Sequence, residues 1–285
     1  MSPPGRPEGE CGSAQHEGSP VRWLRHYLLA LQFFTRVPVT GRLAGWVGFS
    51  PAMLRASAAH FPGIGLLVGG LAAGVAWLLL ERLPPGPFAA FVAAAFSTIA
   101  TVLFTGALHE DGLADVADGL GGAQERARVL EIMKDSRIGA FGAMALVLAF
   151  CAKLGLLALL GAMDVRALCA GLVLAHVLSR AWPLLLIRSL PYVGDAGGSK
   201  AKPLADAISG RALGVAVLWT GAVLAGVAWL QGAAFVLAPV LASALAALAM
   251  LRLFARRLQG FTGDCLGATQ QVCEICCYLG LALVL

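Results

Sequence analysis

Charge is what this chain has least of. Only 13% of its 285 residues are Asp, Glu, Lys or Arg, whereas 59% are hydrophobic, and the mean hydropathy is +0.80. Water-soluble domains carry roughly twice that charged fraction, so an ordinary soluble domain is excluded. Strand-type alternation is also missing. Ala, Leu and Gly dominate the apolar stretches, which speaks against an outer-membrane barrel. The opening residues have no basic segment followed by an apolar core, so they do not read as a signal peptide. Cys273-x-x-Cys276-Cys277 lacks the second pair that a metal or redox site needs. The seven cysteines read instead as small buried hydrophobes in a reducing compartment. No clear internal repeat is present, which weighs against an inverted-repeat transporter.

What the chain does have is apolar blocks of about 20 residues, the length that crosses ~30 Å of hydrocarbon. Seven are readable: Phe61–Glu81, Pro87–Leu108, Gly139–Gly161, Val165–Ile187, Ala212–Leu230, Gly232–Leu251 and Gly267–Leu285. The fifth and sixth nearly touch, which predicts a tight helical hairpin. Trp23 to Phe34 is too short to span and reads as an amphipathic interfacial helix. Residues 1–20, rich in Gly, Pro, Ser and Glu, read as a disordered tail. The expected fold is therefore an all-α polytopic membrane bundle, with residues 21–285 forming one membrane-embedded domain.

With the N-terminal segment in the cytoplasm, 17 of the 21 basic residues fall on that side. The opposite connections hold only Arg82 and Arg166. This asymmetry obeys the positive-inside rule and places the most acidic stretch in the cytoplasm. Because the charges edge membrane helices and form no dense patch, nucleic acid is not an expected partner; the lipid bilayer is. Whether copies associate as a homo-oligomer stays open.

The most acidic stretch is HEDGLADVADGLGG, His109 to Gly122. Asp111, Asp115 and Asp118 are spaced i, i+4, i+7, so a helix projects them from one face. Like charges so stacked repel unless a hard cation such as Mg²⁺ lies between them. An ordinary solvated helix end would mix in Lys or Arg, and none occurs before Arg126. Gly112 and Gly119 weaken the helix but let a phosphate approach its backbone. Downstream, Lys134 and Arg137 flank Asp135 and Ser136 just before an apolar block, where cations could hold phosphate oxygens. Asp264 is expected on a glycine-flanked cytoplasmic loop. Glu274 falls about 10 Å into the last block, with Gln270 one turn away. A carboxylate at that depth needs a partner, and Lys153 in the third block is the candidate. Arg180, i+4 from His176, could reach an anionic ligand or simply snorkel.

These pieces, in this order, resemble the cobalamin synthase family, the adenosylcobinamide-GDP ribazoletransferases. The resemblance covers nearly the whole chain after residue 22. It rests on FFTRVPV (Phe33–Val39), FPGIGLLVGG (Phe61–Gly70), the HEDGLADVADGL run, LEIMKDSRIGAFG (Leu130–Gly142), and GDCLGA with the following Glu274. Glu110 departs from it, standing where the family often has an apolar residue, and would either add a ligand or face water. The resemblance implies an integral enzyme of a prokaryotic plasma (inner) membrane, with its N-terminus and active site cytoplasmic. It would join adenosylcobinamide-GDP to α-ribazole, or its 5′-phosphate, and release GMP with the help of Mg²⁺. Asp111, Asp115 and Asp118 become the expected metal ligands. Arg36, Lys134, Asp135, Arg137, Arg180, Asp264 and Glu274 become the expected substrate-binding residues. Either a carboxylate such as Asp111 or Asp115, or His109, would take the proton of the attacking hydroxyl.

Two other readings compete. A CDP-alcohol phosphotransferase also uses clustered aspartates and Mg²⁺, but its DG-x-x-A-R signature is broken here, where Asp115 follows Ala114. A cation-coupled transporter predicts acids near the bilayer midplane and broken helices, whereas most acids here cluster on one side.

Overall fold

The computed structural model describes residues 20–86, 88–194 and 208–285. The expected tail, apart from Pro20, lies outside the described residues, as do Cys11, Lys200 and Lys202. Among the described residues every regular element is helical, and the only bridge is an isolated one between Tyr192 and Phe261.

The chain opens with α1 (Pro20–Phe34), α2 (Gly41–Val47) and α3 (Pro51–Ser57), then a single 3₁₀ turn, Ala58–His60, that leads without a break into α4 (Phe61–Arg82). Ser50 starts α3 by accepting a hydrogen bond from the Met53 amide, with Pro51 in the first turn, where its missing N–H costs nothing. There follow α5 (Ala89–Thr105), α6 (Leu108–Gly122), α7 (Arg126–Ile132), α8 (Ala140–Met163), α9 (Val165–Ala181) and α10 (Pro183–Ser189). The last three helices are α11 (Gly210–Gln231), α12 (Ala233–Arg257) and α13 (Gly263–Ala282).

Among the described residues, five helical stretches are long and apolar enough to cross a membrane: Pro51–Arg82, α8, α9 continued through α10, α11 and α12. Five of the seven expected spans thus pass on length and apolarity alone. The second expected block is interrupted. Gly106 (φ 70°) and Ala107 (φ 59°) are left-handed, and they turn α6 away from α5 by 89°. Only if that bent pair counts as one span does the number reach six. The seventh expected block, α13, carries Asp264, Thr269, Gln270, Gln271 and Glu274 and falls outside the apolar set. It can be this polar because it is the helix the others enclose: α6, α8, α9, α10 and α12 all pack on it. The α11–α12 hairpin forms as expected, turning at Gly232 (φ 92°).

Small residues set the closest approaches. Gly65 and Gly69 lie one turn apart on the face of α4 that meets α9. A Cβ on Gly69 would sit 2.8 Å from the Val173 Cα, and one on Gly65 would strike the His176 carbonyl. Such pairs let helices pack backbone to backbone where lipid removes the hydrophobic drive. Outside, Leu103, Leu148, Leu218 and Leu245 are about 70% exposed. Apolar surface on that scale is what a bilayer covers.

Candidate active site

The acid run forms α6. Its spacing from its neighbours is set by glycines. Gly112 faces α13 so closely that a Cβ there would lie 2.8 Å from the Asp264 carbonyl oxygen, and Gly267 on α13 meets the His109 backbone. Gly119 faces α7, against Val129 and Met133. The glycines of the run therefore serve helix packing, which corrects the expectation that they open the backbone to phosphate.

This crossing brings the first turn of α13 beside the acid face of α6. Asp115 is half-buried, and its carboxyl is pushed up to about 7, first by burial and then by the negative charges of Asp111, Asp264 and Asp118. Asp264 itself accepts a hydrogen bond from the Thr262 hydroxyl at 3.2 Å. Thr262 also caps α13, accepting from the Cys265 amide. Asp111 and Asp115 thus share a rim with Asp264, which the resemblance implies as a substrate-binding residue.

Asp118 is committed differently. It is buried, and it accepts the Gly139 amide at 2.7 Å and the Gly142 amide at 2.8 Å. These are orphan donors at the start of α8, so Asp118 caps that helix from across a helix interface. A Cβ on Gly139 or Gly142 would collide with its carboxylate, which explains why R-I-G-A-F-G has glycines there. Glu110 neither joins the rim nor faces water. It is 7% exposed and points inward, one oxygen accepting from Gln271 Nε2 at 3.0 Å. His109 is buried too. Its ring lies flat against Phe34, 6.0 Å between centroids. Burial and then the nearby Arg180 charge hold it well below the usual imidazole range.

The expected basic partners separate into surface and interior groups. Arg36 follows α1. Its amide donates to the Phe104 carbonyl at 2.7 Å and its exposed guanidinium lies against Gly106 at the α5–α6 corner, with no partner among the described residues. Arg137 is exposed and held by Asp135, with Nε 2.9 Å from Oδ1. Hydrogen bonds from Arg137 pull the Asp135 carboxyl down to about 2. Lys134 lies in the same loop. Arg180, by contrast, is buried: it neither snorkels nor reaches the surface. It donates to the His176 carbonyl at 3.1 Å.

Glu274 is also deep in the bundle rather than at the rim. Lys153 Nζ lies 2.6 Å from its Oε1, as the sequence anticipates. Tyr278 donates to the same oxygen at 3.0 Å, Gln270 donates to Oε2 at 2.6 Å, and His176 Nδ1 is 3.5 Å from Oε2. Both oxygens are thus taken. Two arginines found near the rim read in the sequence only as positive-inside charges. Arg257 donates to the Ala123 carbonyl at 2.8 Å and Arg126 to the Leu258 carbonyl at 2.6 Å. They pin the α6–α7 corner to the end of α12.

Among the described residues no three His, Cys, Asp or Glu side chains form a ready metal cage. The rim nonetheless fits Mg²⁺ chemically. That ion takes hard oxygen donors, keeps several waters and needs only one or two protein carboxylates when phosphates supply the rest. Acids that raise one another's proton affinity are relieved by a cation. The cysteines make no such site: all six that are described are free thiols.

Residues 26–282 match the family described as cobalamin-5-phosphate synthase. Among named relatives, the adenosylcobinamide-GDP ribazoletransferase of Albidiferax ferrireducens is 60% identical, covering 92% of this chain and 99% of that protein. The protein of the same name from Polaromonas naphthalenivorans is 58% identical, covering 93% and 100%. That of Vibrio cholerae is 40% identical, covering 90% and 92%. No solved structure matches. On the breadth of these matches, the chain belongs to the cobalamin-5-phosphate synthase family.

Proposed function

We propose that this chain joins adenosylcobinamide-GDP to α-ribazole, or to its 5′-phosphate, at the rim formed by α6 and the start of α13. As a member of its family it is a transferase of cobalamin biosynthesis. In the proposed reaction a ribose hydroxyl oxygen attacks the corrinoid-linked phosphorus of the diphosphate. The bond to the bridging oxygen breaks, GMP leaves with that oxygen, and the hydroxyl proton is released. The observation that carries the proposal is the convergence of Asp111, Asp115 and Asp264 at one helix crossing, with Asp115 pushed up to about 7.

Asp111, Asp115 and Asp264 would hold Mg²⁺. When bound, the ion supplies charge neutralisation on the diphosphate oxygens, the main electrostatic demand of phosphoryl transfer. Arg36, with no competing partner, grips a phosphate oxygen from the α5–α6 corner, and Lys134 and Arg137 approach from the loop before α8. His109 is enclosed against Phe34, so the hydroxyl proton goes to a rim carboxylate oxygen that the cation leaves free. Asp118 serves the site by holding the start of α8. The positive-inside pattern supports a cytoplasmic rim and an inner-membrane location.

The test is purified protein in lipid with adenosylcobinamide-GDP, α-ribazole and Mg²⁺, read as GMP release and corrinoid product. Turnover that disappears with a chelator and returns with Mg²⁺ is expected. No GMP from this mixture, with turnover of a CDP-alcohol substrate instead, overturns the proposal.

A further inference from the structure

The rim explains Asp111 and its neighbours but not the glutamate beside them. Glu110 is almost wholly enclosed, and nothing in the proposed reaction uses it. We infer that Glu110 and Gln271 form a latch that sets the rotation of α6 and thereby the cation affinity of the rim; they act through Asp111 and Asp115 and touch no substrate. This inference rests on the proposed function.

The latch is the last link of a continuous chain. Lys153 on α8 pairs with Glu274 on α13. Glu274 accepts from Gln270, which also donates to Ser179 on α9 at 3.0 Å. Gln270 Oε1 accepts from Gln271 Nε2 at 3.0 Å, and the same amide nitrogen donates to Glu110 on α6. Gln271 thereby spends both amide protons, and four helices are tied through one hydrogen-bonded path. Each residue turns a helix by about 100°. Fixing Glu110 inward therefore fixes Asp111 and Asp115 about 100° and 140° around the same helix, on the side that meets Asp264. The close approaches at Gly112 and Gly267 set the spacing of α6 and α13, Asp118 anchors the later turns of α6 to α8, and at the first turn, which carries Asp111, the latch supplies the directional contact. The second Glu110 oxygen, Oε2, is buried without a partner. An acceptor held there at that cost has a reason to be polar.

The experiment uses the full-length protein in lipid nanodiscs. Gln271→Leu and Glu110→Ala each remove the contact. Both should raise the Mg²⁺ concentration for half-maximal rate about tenfold, the worth of one net hydrogen bond, while the rate at saturating Mg²⁺ stays within about twofold. Mn²⁺ titration followed by electron paramagnetic resonance should weaken by the same factor. Glu110→Gln keeps an acceptor for Gln271 and should restore affinity close to that of the unaltered chain. A Glu110→Gln variant as weak as Glu110→Ala would make the effect one of charge and overturn the latch. So would a loss of active protein at unchanged Mg²⁺ and Mn²⁺ dependence, the result of a merely structural role. Asp111→Ala run in parallel separates the failures. If it binds Mn²⁺ like the unaltered chain, the rim is not the cation site and the proposed function falls, taking the latch with it. If it loses Mn²⁺ while Gln271→Leu does not, the latch alone falls.

Discussion

Two carboxylates on α13 lie ten residues apart and live in opposite conditions. Glu274, inside the bundle, has every oxygen occupied by Lys153, Tyr278, Gln270 or His176. Asp264, at the rim, has one hydroxyl partner and adds to the negative charge that Asp115 feels. A saturated acid can do nothing further except hold its partners in place. An acid crowded by like charges still seeks a cation. The helix thus carries a structural carboxylate and one that the proposed function makes reactive, and saturation distinguishes them.

The sharpest way to break this contrast is at the rim. Asp111→Ala should leave the protein inserted and folded but lower GMP release by about 10²–10³-fold, the usual loss when one group that stabilises transition-state charge is removed. Near-normal turnover would mean that the crowded acids are not the reactive ones. In the interior the expected effect is on stability. Glu274→Leu leaves Lys153 buried without its partner, a cost of about 3–5 kcal/mol, read as a lower unfolding temperature in detergent. Adding Lys153→Met should recover most of that loss; if it does not, the pair is not what Glu274 is for. Asp118 tests a carboxylate saturated by backbone. Gly142→Ala forces a methyl group against it and should cost about 1–3 kcal/mol while leaving the Mg²⁺ requirement in place.

The smallest effect concerns pH. Between the ordinary value of 3.8 and about 7, folded Asp115 keeps a proton that the unfolded chain has released. The metal-free protein should therefore lose stability as pH rises through that window. Asp115→Asn should flatten the slope, as should added Mg²⁺. A slope unchanged in Asp115→Asn would assign it to another group.

What could be read in the sequence depended on whether the partner was a side chain or a backbone. Lys153 and Glu274 are isolated charges in apolar blocks, and in hydrocarbon such charges must meet, so their pairing was legible from 121 positions apart. The fate of Asp118 was not, because its partners are the Gly139 and Gly142 amides and every residue offers an amide. Periodicity correctly put three aspartates on one stripe, but it could not show that the stripe divides between a rim and a helix cap. Arg180 was placed on the right helix without its direction, and that direction decides between surface and interior. Two of the seven expected spans are not apolar runs of full length: α5 ends at the corner, and the polarity of α13 is enclosed by protein instead of lipid. One legible signal was missed: Gly65-x-x-x-Gly69 is a small-residue pair at one-turn spacing, and it marks the tight α4–α9 contact.

The corner at Gly106 and Ala107 has a geometric consequence for what one short helix can accomplish. A helix that continues straight out of a bilayer shows the aqueous phase only its tip, a single turn of side chains. Swung by 89°, α6 shows its flank, about four turns for 15 residues, with every compass direction available to a different neighbour. The flank facing outward can then be given to a reacting group, another to the next helix and another to the interior, all from one stretch of 15 residues. The bend is what lets so short a segment work as a hub.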